Sequence, residues 1–216
     1  MEFSIESSVR FGWETFKKRP WFFVGSGLVI GLAYVVAGLI IGAINGLLSS
    51  APDQPTVIGS LANLLLGTLI SIGVTAFYLN AHDNPDTVGL ASLWHPQPFL
   101  NFLAASVVVG LAIGAGFILL IVPGIIFALM FMFTTFIVVD REAGPIEAMK
   151  ESKRITHGYK WLLLGFIFVL ALVNLLGALA LGVGLLVSVP VSTLALVHAY
   201  RTLGGQANRA VPVVMQ

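Results

Sequence analysis

Residues 99–139 read FLNFLAASVVVGLAIGAGFILLIVPGIIFALMFMFTTFIVV and contain no Asp, Glu, Lys or Arg. This stretch is about twice the length of one transmembrane helix, which needs about 20 apolar residues. Val122-Pro123-Gly124 predicts a turn within it, because proline disfavours helix in the residue before it and glycine favours a turn. We therefore expect two spans, Phe99–Ile121 and Ile125–Val139, although the second would be only about 22 Å long. The alternative is one helix kinked at the proline.

The composition of the whole chain is that of a multi-pass membrane protein. Of its 216 residues, 57% are hydrophobic and 10% are charged, whereas soluble domains have about a quarter charged residues. The net charge of +1 gives no reason to expect a nucleic-acid partner.

The chain has no cysteine, which excludes disulfides, a thiolate nucleophile and Cys-ligated metals. It also contains no recognisable catalytic or phosphate-binding motif, so we expect no enzyme activity and no cofactor.

Two further stretches are long enough for two crossings each. Pro20–His82 contains a single charged residue, Asp53, within a small, polar and proline-containing segment at 49–55 that predicts a loop. Trp161–Tyr200 contains none, and Gly182-Val183-Gly184 predicts a turn there. The helices expected in these stretches are Trp21–Leu48, Val57–Leu79, Trp161–Leu181 and Leu185–Leu203, the last kinked at Pro190. The sequence thus predicts an all-α integral membrane protein with six transmembrane helices in three hairpins, a single polytopic domain over residues 1–216.

The distribution of basic residues predicts the orientation. With six crossings, all eleven Lys and Arg residues lie on one side of the membrane. Five crossings would move the C-terminal Arg209 to the other side. Because Lys and Arg are enriched in cytoplasmic loops, both termini are expected in the cytoplasm.

A short amphipathic segment precedes each expected hairpin. The first follows Ser4, a suitable N-cap, and its apolar residues recur at helical spacing. They are Ile5, Val9, Trp13 and Phe16. This helix is expected at the membrane surface, against either lipid or the protein's own hairpins. The other two segments are 86–94 and 144–156, which suggests a threefold repeat with units 3–79, 86–139 and 144–203.

Two sets of residues are candidates for contacts within the membrane. Tryptophans favour the headgroup level, and basic clusters attract anionic lipids. The expected interfacial anchors are Trp13, Lys17, Lys18, Arg19, Trp21, Trp94 and Trp161. Glycines at steps of four permit close helix packing, within the chain or with a partner. They are Gly38, Gly42 and Gly46.

Polar residues inside the spans offer little chemistry. No ionisable group lies in the interior of a predicted span, which counts against a proton pump or a voltage sensor. Ser, Thr and Asn side chains such as Asn45, Thr75 and Thr193 could line a route for a neutral solute, but such residues more often bond neighbouring helices.

Four residues near the start of the second segment are the best candidate metal ligands. They are His82, Asp83, Asp86 and His95. Imidazole and carboxylate groups bind zinc or manganese, but the spacing matches no metal motif. A turn followed by a helix cap explains the acidic residues equally well. We therefore expect no metal site.

Several short motifs carry a family resemblance. They are Phe3-Ser4-Ile5, Gly12-Trp13-Glu14-Thr15-Phe16, Val122-Pro123-Gly124, Val138-Val139-Asp140, Glu147-Ala148-Met149-Lys150-Glu151-Ser152, Thr156-His157-Gly158, Val189-Pro190 and Ala199-Tyr200-Arg201. Together they resemble poorly characterised prokaryotic membrane proteins related to the membrane domain fused to some glycerophosphodiester phosphodiesterases. The resemblance implies six spans in a prokaryotic cytoplasmic membrane. It implies no catalytic residues, because hydrolysis in the fused enzymes belongs to a separate soluble domain.

These observations lead to three functional hypotheses. The first is a non-enzymatic protein that organises membrane lipids or binds a membrane-protein partner, including a second copy of itself. The alternative is a small transporter or channel for a neutral or amphiphilic solute. A membrane enzyme is the third, and it would depend on His82, Asp83 or His198.

Overall fold

A computed structural model describes residues 3–48, 55–180 and 182–209, without the side chains of Asn208 and Arg209. Most of the predicted loop at 49–55, including Asp53, and the predicted helix end at Leu181 lie outside the described residues. The regular structure of the described part is entirely helical. Its helices are α1 (Ile5–Lys18), α2 (Pro20–Leu48), α3 (Val57–Asp83), α4 (Phe99–Leu119), α5 (Ile121–Phe131), α6 (Thr134–Arg141), α7 (Pro145–Thr156), α8 (Lys160–Leu179) and α9 (Leu185–Arg209), with a 3₁₀ helix at Leu90–Leu93.

Six helical segments are long and apolar enough to cross a membrane. They are Pro20–Leu48, Val57–Asp83, Phe99–Leu119, Ile121–Arg141, Lys160–Leu179 and Leu185–Ala207. Their apolar side chains are largely exposed, and only 6% of the most apolar part of α2 is buried. Exposed apolar surface of this extent is typical of helices that face lipid. The prediction of an all-α membrane protein with six transmembrane helices in three hairpins is confirmed.

The middle hairpin turns at Leu120, before the proline expected to mark its turn. Leu120 is extended, with φ −168° and ψ 159°, and α5 begins at Ile121. Pro123 therefore lies in the first turn of α5, where the missing N–H costs nothing because that position has no intrahelical acceptor. The predicted start of the fourth span at Ile125 was wrong. Because α5 and α6 together reach Arg141, this span is not as short as the sequence suggested.

The alternative of a single kinked helix across residues 99–139 is excluded by the packing of α4 on α5. A Cβ atom added to Gly116 would lie 2.9 Å from the Cα atom of Gly124, so the two backbones are in direct contact. Such an approach is possible only between two helices that fold back on each other.

The fourth span is interrupted at Met132 and Phe133, where α7 packs against it. The Ser152 hydroxyl of α7 donates to the Met130 carbonyl over 2.9 Å and accepts the Phe133 N–H over 3.2 Å. These bonds replace backbone bonds that a continuous helix would make. An inserted side chain of this kind is a common cause of a helix break.

The first surface helix packs on the protein's own last helix. Ser4 caps α1 by accepting the Ser7 N–H over 3.1 Å, as predicted. The face against α9 contains the small residues Ser8, Gly12 and Thr15. A Cβ atom on Gly12 would overlap the Val191 carbonyl oxygen and lie 3.1 Å from the Ala195 nitrogen. Backbone contact at Gly12 therefore holds α1 on the bundle.

The other two surface segments differ in structure. The third forms α7, and its first helical residue is Pro145, as expected. The second contains only the short 3₁₀ helix at Leu90–Leu93. Gly89 before it is extended, and Pro96 disfavours helix at His95, so little room is left for an α-helix. The threefold repeat stays a prediction.

The glycines of α2 do not mediate packing within the described chain. A Cβ atom on Gly38, Gly42 or Gly46 would meet no described atom within 4 Å. Each hairpin instead has another close contact at a glycine. These contacts join Gly59 to Asn45, Gly116 to Gly124, and Gly177 to Gly184. The four-residue spacing of these glycines did not reveal which helix face meets a neighbour. Contact between the α2 glycines and a partner protein stays a prediction.

Gly12→Ala should loosen α1 from α9, because its methyl group has no space against the Val191 carbonyl. Overpacking of this kind costs about 1–3 kcal/mol. We expect a lower melting temperature for the detergent-solubilised protein, measured by differential scanning fluorimetry. Gly42→Ala is the matched control and should melt no lower than the wild type. Equal melting temperatures for the two variants would contradict the packing at Gly12.

Candidate functional site

A cluster of charged and polar side chains joins the three hairpins on the side of the membrane where α1 and α7 lie. Arg201 of α9 bonds Asp83 of α3 through two nitrogens, at 2.5 and 3.2 Å. Its Nη1 donates to Asp140 Oδ2 of α6 over 2.7 Å. The Tyr200 hydroxyl donates to the same Asp140 oxygen, also over 2.7 Å. We call these four residues the Arg201 cluster.

Local structure explains why these residues meet. Asp83 is the last residue of α3, and Asp140 is the second-last residue of α6. Both helices therefore bring a carboxylate to the same end of the bundle. Arg201 lies near the end of α9, which runs in the same direction across the membrane as α3 and α6. Charge-assisted bonds to a guanidinium are among the stronger hydrogen bonds in proteins, so the cluster fixes the three helix ends relative to one another.

A histidine pair connects this cluster to the first surface helix. His82 lies 2.9 Å from Asp83 Oδ1 through Nδ1, and its Nε2 lies 3.2 Å from His198 Nδ1. The Phe11 ring of α1 packs on both imidazoles, at centroid distances of 4.6 Å to His82 and 4.2 Å to His198. The interactions around Arg201 therefore reach α1 as well as the three hairpins.

An open cavity of about 300 Å³ lies beside the Arg201 cluster, and we call it the cluster cavity. Asp83, Asp140 and Arg201 line one part of it. Asn80 of α3 and Ser92, Trp94 and His95 of the following segment also line it. Asn80 Nδ2 donates to Ser92 Oγ over 2.7 Å, which ties that segment to α3.

The four candidate metal ligands are not arranged as a metal site. Asp83 is bonded by Arg201, whereas Asp86 lies 3.9 Å from the Lys18 ammonium. His95 lines the cluster cavity apart from Asp86. Among the described residues, no three His, Asp or Glu side chains converge in a way that could hold a metal ion.

A second charged group fixes α7 beside the end of α9. Glu151 accepts from Arg154 over 2.7 Å and from Arg141 over 3.0 Å. Arg154 also donates to the Ala207 carbonyl of α9 over 2.9 Å. The hydrogen bond from Arg154, followed by the charges of both arginines, lowers the pKa of Glu151 below its ordinary 4.5.

Three of the four predicted tryptophan anchors are strongly exposed. Trp21, Trp94 and Trp161 are 86%, 77% and 85% exposed, and Trp13 is 45% exposed. Lys17 lies 5.6 Å from the centre of the Trp13 ring. Arg19 instead donates to the Val88 carbonyl over 2.9 Å and lies 4.0 Å from the Phe22 ring centre. Arg19 therefore fixes the segment before Leu90 to the start of α2.

The three polar residues named above for a solute route bond nearby backbone or side chains. Thr75 donates to the Ser71 carbonyl over 2.8 Å, and Thr193 donates to the Val189 carbonyl over 2.9 Å. Asn45 accepts from the Thr56 hydroxyl over 2.7 Å across the first hairpin. These contacts favour a structural role.

Sequence reasoning missed the Arg201 cluster, although parts of it were visible. Asp83 was considered as a metal ligand or as a residue of a membrane enzyme, and its pairing with Arg201 was not predicted. Asp140 and Tyr200-Arg201 end two of the motifs on which the family resemblance rests. Charged residues at the ends of uncharged stretches were the available signal, but their pairing required the relative positions of α3, α6 and α9.

The chain is similar to uncharacterised mycobacterial proteins and to a bacterial membrane protein. An uncharacterised protein of Mycobacterium tuberculosis is 26% identical over 238 aligned positions, covering 97% of this chain and 71% of that protein. An uncharacterised protein of Mycobacterium bovis is similar to the same extent. A UPF0259 membrane protein of Pectobacterium carotovorum is 29% identical over 114 positions, covering 50% of this chain and 46% of that protein. No family model and no solved structure matches the chain.

These similarities support the coarser part of the sequence resemblance. The relatives are poorly characterised bacterial proteins, and one is described as a membrane protein. None of the three reported relatives is described as a glycerophosphodiester phosphodiesterase. The chain is thus similar to poorly characterised prokaryotic membrane proteins, and it is a multi-pass membrane protein.

Arg201→Met should strongly destabilise the bundle, because it leaves Asp83 and Asp140 without their shared cation. The Arg201 side chain is 28% exposed, and those of Asp83 and Asp140 are 41% and 16% exposed. The expected cost therefore lies between that of a surface pair and that of a buried pair, at about 1–3 kcal/mol. We expect a clear fall in melting temperature in detergent. Arg10→Met is the control, because Arg10 pairs with Glu14 on the exposed face of α1. A melting temperature for Arg201→Met equal to that of Arg10→Met would show that the cluster does not join the hairpins.

The Glu151 carboxylate should make stability depend on pH in the acidic range. Because its pKa is lower in the folded protein than in the unfolded chain, its contribution is complete above about pH 4.5 and is lost as the pH falls through the lowered value. Melting temperatures are measured from pH 7 to pH 3. The wild type should melt at a higher temperature than Glu151→Gln at neutral pH, and this difference in melting temperature should become smaller as the pH falls. A difference that stays constant over this range would refute the assignment to Glu151.

Proposed function

We propose that this chain is a non-enzymatic, multi-pass protein of the prokaryotic inner membrane that organises anionic lipids around its basic side, with both termini in the cytoplasm. The observation that carries the proposal is a difference between arginines and lysines on that side. Four of the five arginines with described side chains join separate segments of the fold, whereas four lysines on two surface helices have exposed side chains.

Every arginine whose side chain is described bonds a carboxylate or a backbone carbonyl of the same chain. The closest partners are Glu14 for Arg10, Val88 for Arg19, Glu151 for Arg141 and Arg154, and Asp83 and Asp140 for Arg201. These five guanidinium groups are therefore used in the fold. Arg10, Arg141, Arg154 and Arg201 are partly neutralised by these carboxylates, which reduces their attraction for an external anion.

The lysines of α1 and α7 are more exposed, and the pair that Lys18 makes with Asp86, at 3.9 Å, is itself exposed. Lys17 and Lys18 end α1, Lys150 and Lys153 lie on α7, and all four are exposed. With six crossings, both surface helices lie on the same side of the membrane. Exposed Lys residues near an anionic bilayer contribute about 1 kcal/mol each to attraction. The exposed tryptophans near helix starts on this side are suited to the same headgroup layer.

The orientation and family relationship are parts of this proposal. The concentration of basic residues on one side supports cytoplasmic termini through the positive-inside rule. The relationship to the membrane domain fused to glycerophosphodiester phosphodiesterases is supported by the sequence motifs given above. A membrane-protein partner or a second copy of the chain remains compatible with lipid organisation.

A lipid-retention experiment tests the proposed role of the lysines. The full chain is reconstituted into nanodiscs that contain equal amounts of phosphatidylglycerol and phosphatidylethanolamine. The lipids that stay bound when the chain is released from the nanodiscs are identified by native mass spectrometry. We expect the wild type to retain phosphatidylglycerol preferentially. Replacing all four lysines with glutamine should remove this preference, because the exposed charge is lost.

A matched variant separates charge from structure in the same experiment. Replacing all four lysines with arginine keeps the charge and should preserve the preference. Equal lipid retention by the wild type and the glutamine variant would count decisively against the proposal, provided that both melt at the same temperature.

The rival function, transport of a neutral or amphiphilic solute, is favoured by one feature. A mainly apolar crevice of about 330 Å³ lies between α2, α3 and α9, and Tyr34, Tyr78 and Thr193 line part of it. Solute flux into liposomes containing the purified protein, absent from protein-free liposomes, would favour this rival. Specific co-purification of one membrane protein would favour a partner-binding role.

A further inference from the structure

The walls of the cluster cavity carry an uncompensated negative charge. Two carboxylates, Asp83 and Asp140, face one guanidinium, that of Arg201. Arg141 also approaches Asp140, with 4.0 Å between Nε and Oδ2, but Arg141 lines the neighbouring cavity and bonds Glu151 there. The Asp and Arg side chains that line the cluster cavity therefore have a summed formal charge of −1.

The geometry disfavours an anionic ligand at this position. Arg201 uses Nε and Nη2 on Asp83 and Nη1 on Asp140. These bonds use three of the five N–H groups of the guanidinium, so a phosphate or carboxylate would have two left to accept from. It would also lie next to two carboxylates. A cation, in contrast, can approach the carboxylates without displacing Arg201.

The remaining walls suit an organic cation. Trp94 supplies an aromatic surface, and aromatic rings attract ammonium groups placed over their faces. Asn80 and Ser92 supply neutral hydrogen-bonding groups. The volume of about 300 Å³ lies at the lower end of the range for small-molecule sites. An amine-bearing headgroup is of suitable size and chemistry.

We propose that the cluster cavity binds an ammonium group, with Asp83 and Asp140 as its counter-charges and Trp94 as its aromatic contact. The same chemistry is present in an ethanolamine lipid headgroup and in a free primary amine. A headgroup is the source that agrees with the lipid-organising function, and only this choice of source rests on that proposal. The site would then bind a zwitterionic lipid, separately from the anionic lipids attracted by the exposed lysines.

Binding is measured by isothermal titration calorimetry of the full chain in a non-ionic detergent. The probes are dihexanoyl phosphatidylethanolamine, free ethanolamine and dihexanoyl phosphatidylglycerol. They are compared in the variant with four Lys→Gln changes, so that the exposed lysines do not bind the anionic probe. We expect saturable binding of the phosphatidylethanolamine probe and none of comparable strength for phosphatidylglycerol. Binding of ethanolamine as tightly as the lipid would support the site and identify a soluble amine as its source. Weaker binding of ethanolamine would support a lipid source.

Two exposed tryptophans provide a matched pair of variants. Trp94→Ala should weaken binding of the phosphatidylethanolamine probe by about 2- to 30-fold, the range expected for a cation–π contact. Trp161→Ala should leave binding unchanged, because Trp161 is similarly exposed but lies beside a different cavity. Asp83→Asn retains the Arg201 bond to Asp140 and removes the excess negative charge, so it should weaken binding by at least 10-fold.

Several results would overturn this site. They are absence of binding of both amine probes, equal binding of phosphatidylglycerol, or equal effects of Trp94→Ala and Trp161→Ala. The variant with four Lys→Gln changes should bind the phosphatidylethanolamine probe as the wild type does. Failure of the amine site is therefore distinguishable from failure of anionic-lipid retention.

Discussion

The arrangement of the bundle depends on the contact of one guanidinium with two carboxylates. Arg201 belongs to the third hairpin, Asp83 to the first and Asp140 to the second, so one side chain joins all three. Apolar helices gain little from associating with one another in lipid, because lipid tails are equally apolar. Polar bonds and close backbone contacts therefore decide how the hairpins are placed. The histidine pair and Phe11 extend the same group of contacts to α1.

Close backbone contacts at glycine residues also hold the helices together. Gly116 and Gly124 meet across the middle hairpin, as Gly177 and Gly184 do across the last. Gly12 allows α1 to approach the backbone of α9 in the same way. The absence of side chains permits contacts that no larger residue would allow. Each hairpin is thus closely packed near its turn, while the charged cluster holds the hairpins to one another at the other end.

The basic side of the protein combines three electrostatic environments. Arginines are compensated within the fold, lysines on α1 and α7 are exposed, and the cluster cavity has excess negative charge. These environments lie at the same end of the bundle as the exposed tryptophans Trp21, Trp94 and Trp161. A surface that attracts anionic headgroups and also has a pocket for an ammonium group would order a mixed bilayer. This arrangement unites the two proposals without requiring a catalytic residue.

The sequence by itself determined the number of spans and their pairing, because a bilayer of fixed thickness requires long uncharged stretches separated by turns. It did not determine the turn at Leu120, since Pro123 is also compatible with the first turn of a helix. It also did not show which glycines meet a neighbour: Gly42 faces open space, whereas Gly12 contacts Val191. Only the tertiary structure decided that Arg201 meets Asp83 and Asp140, because hydropathy defines each helix separately and their contacts depend on how all six pack together.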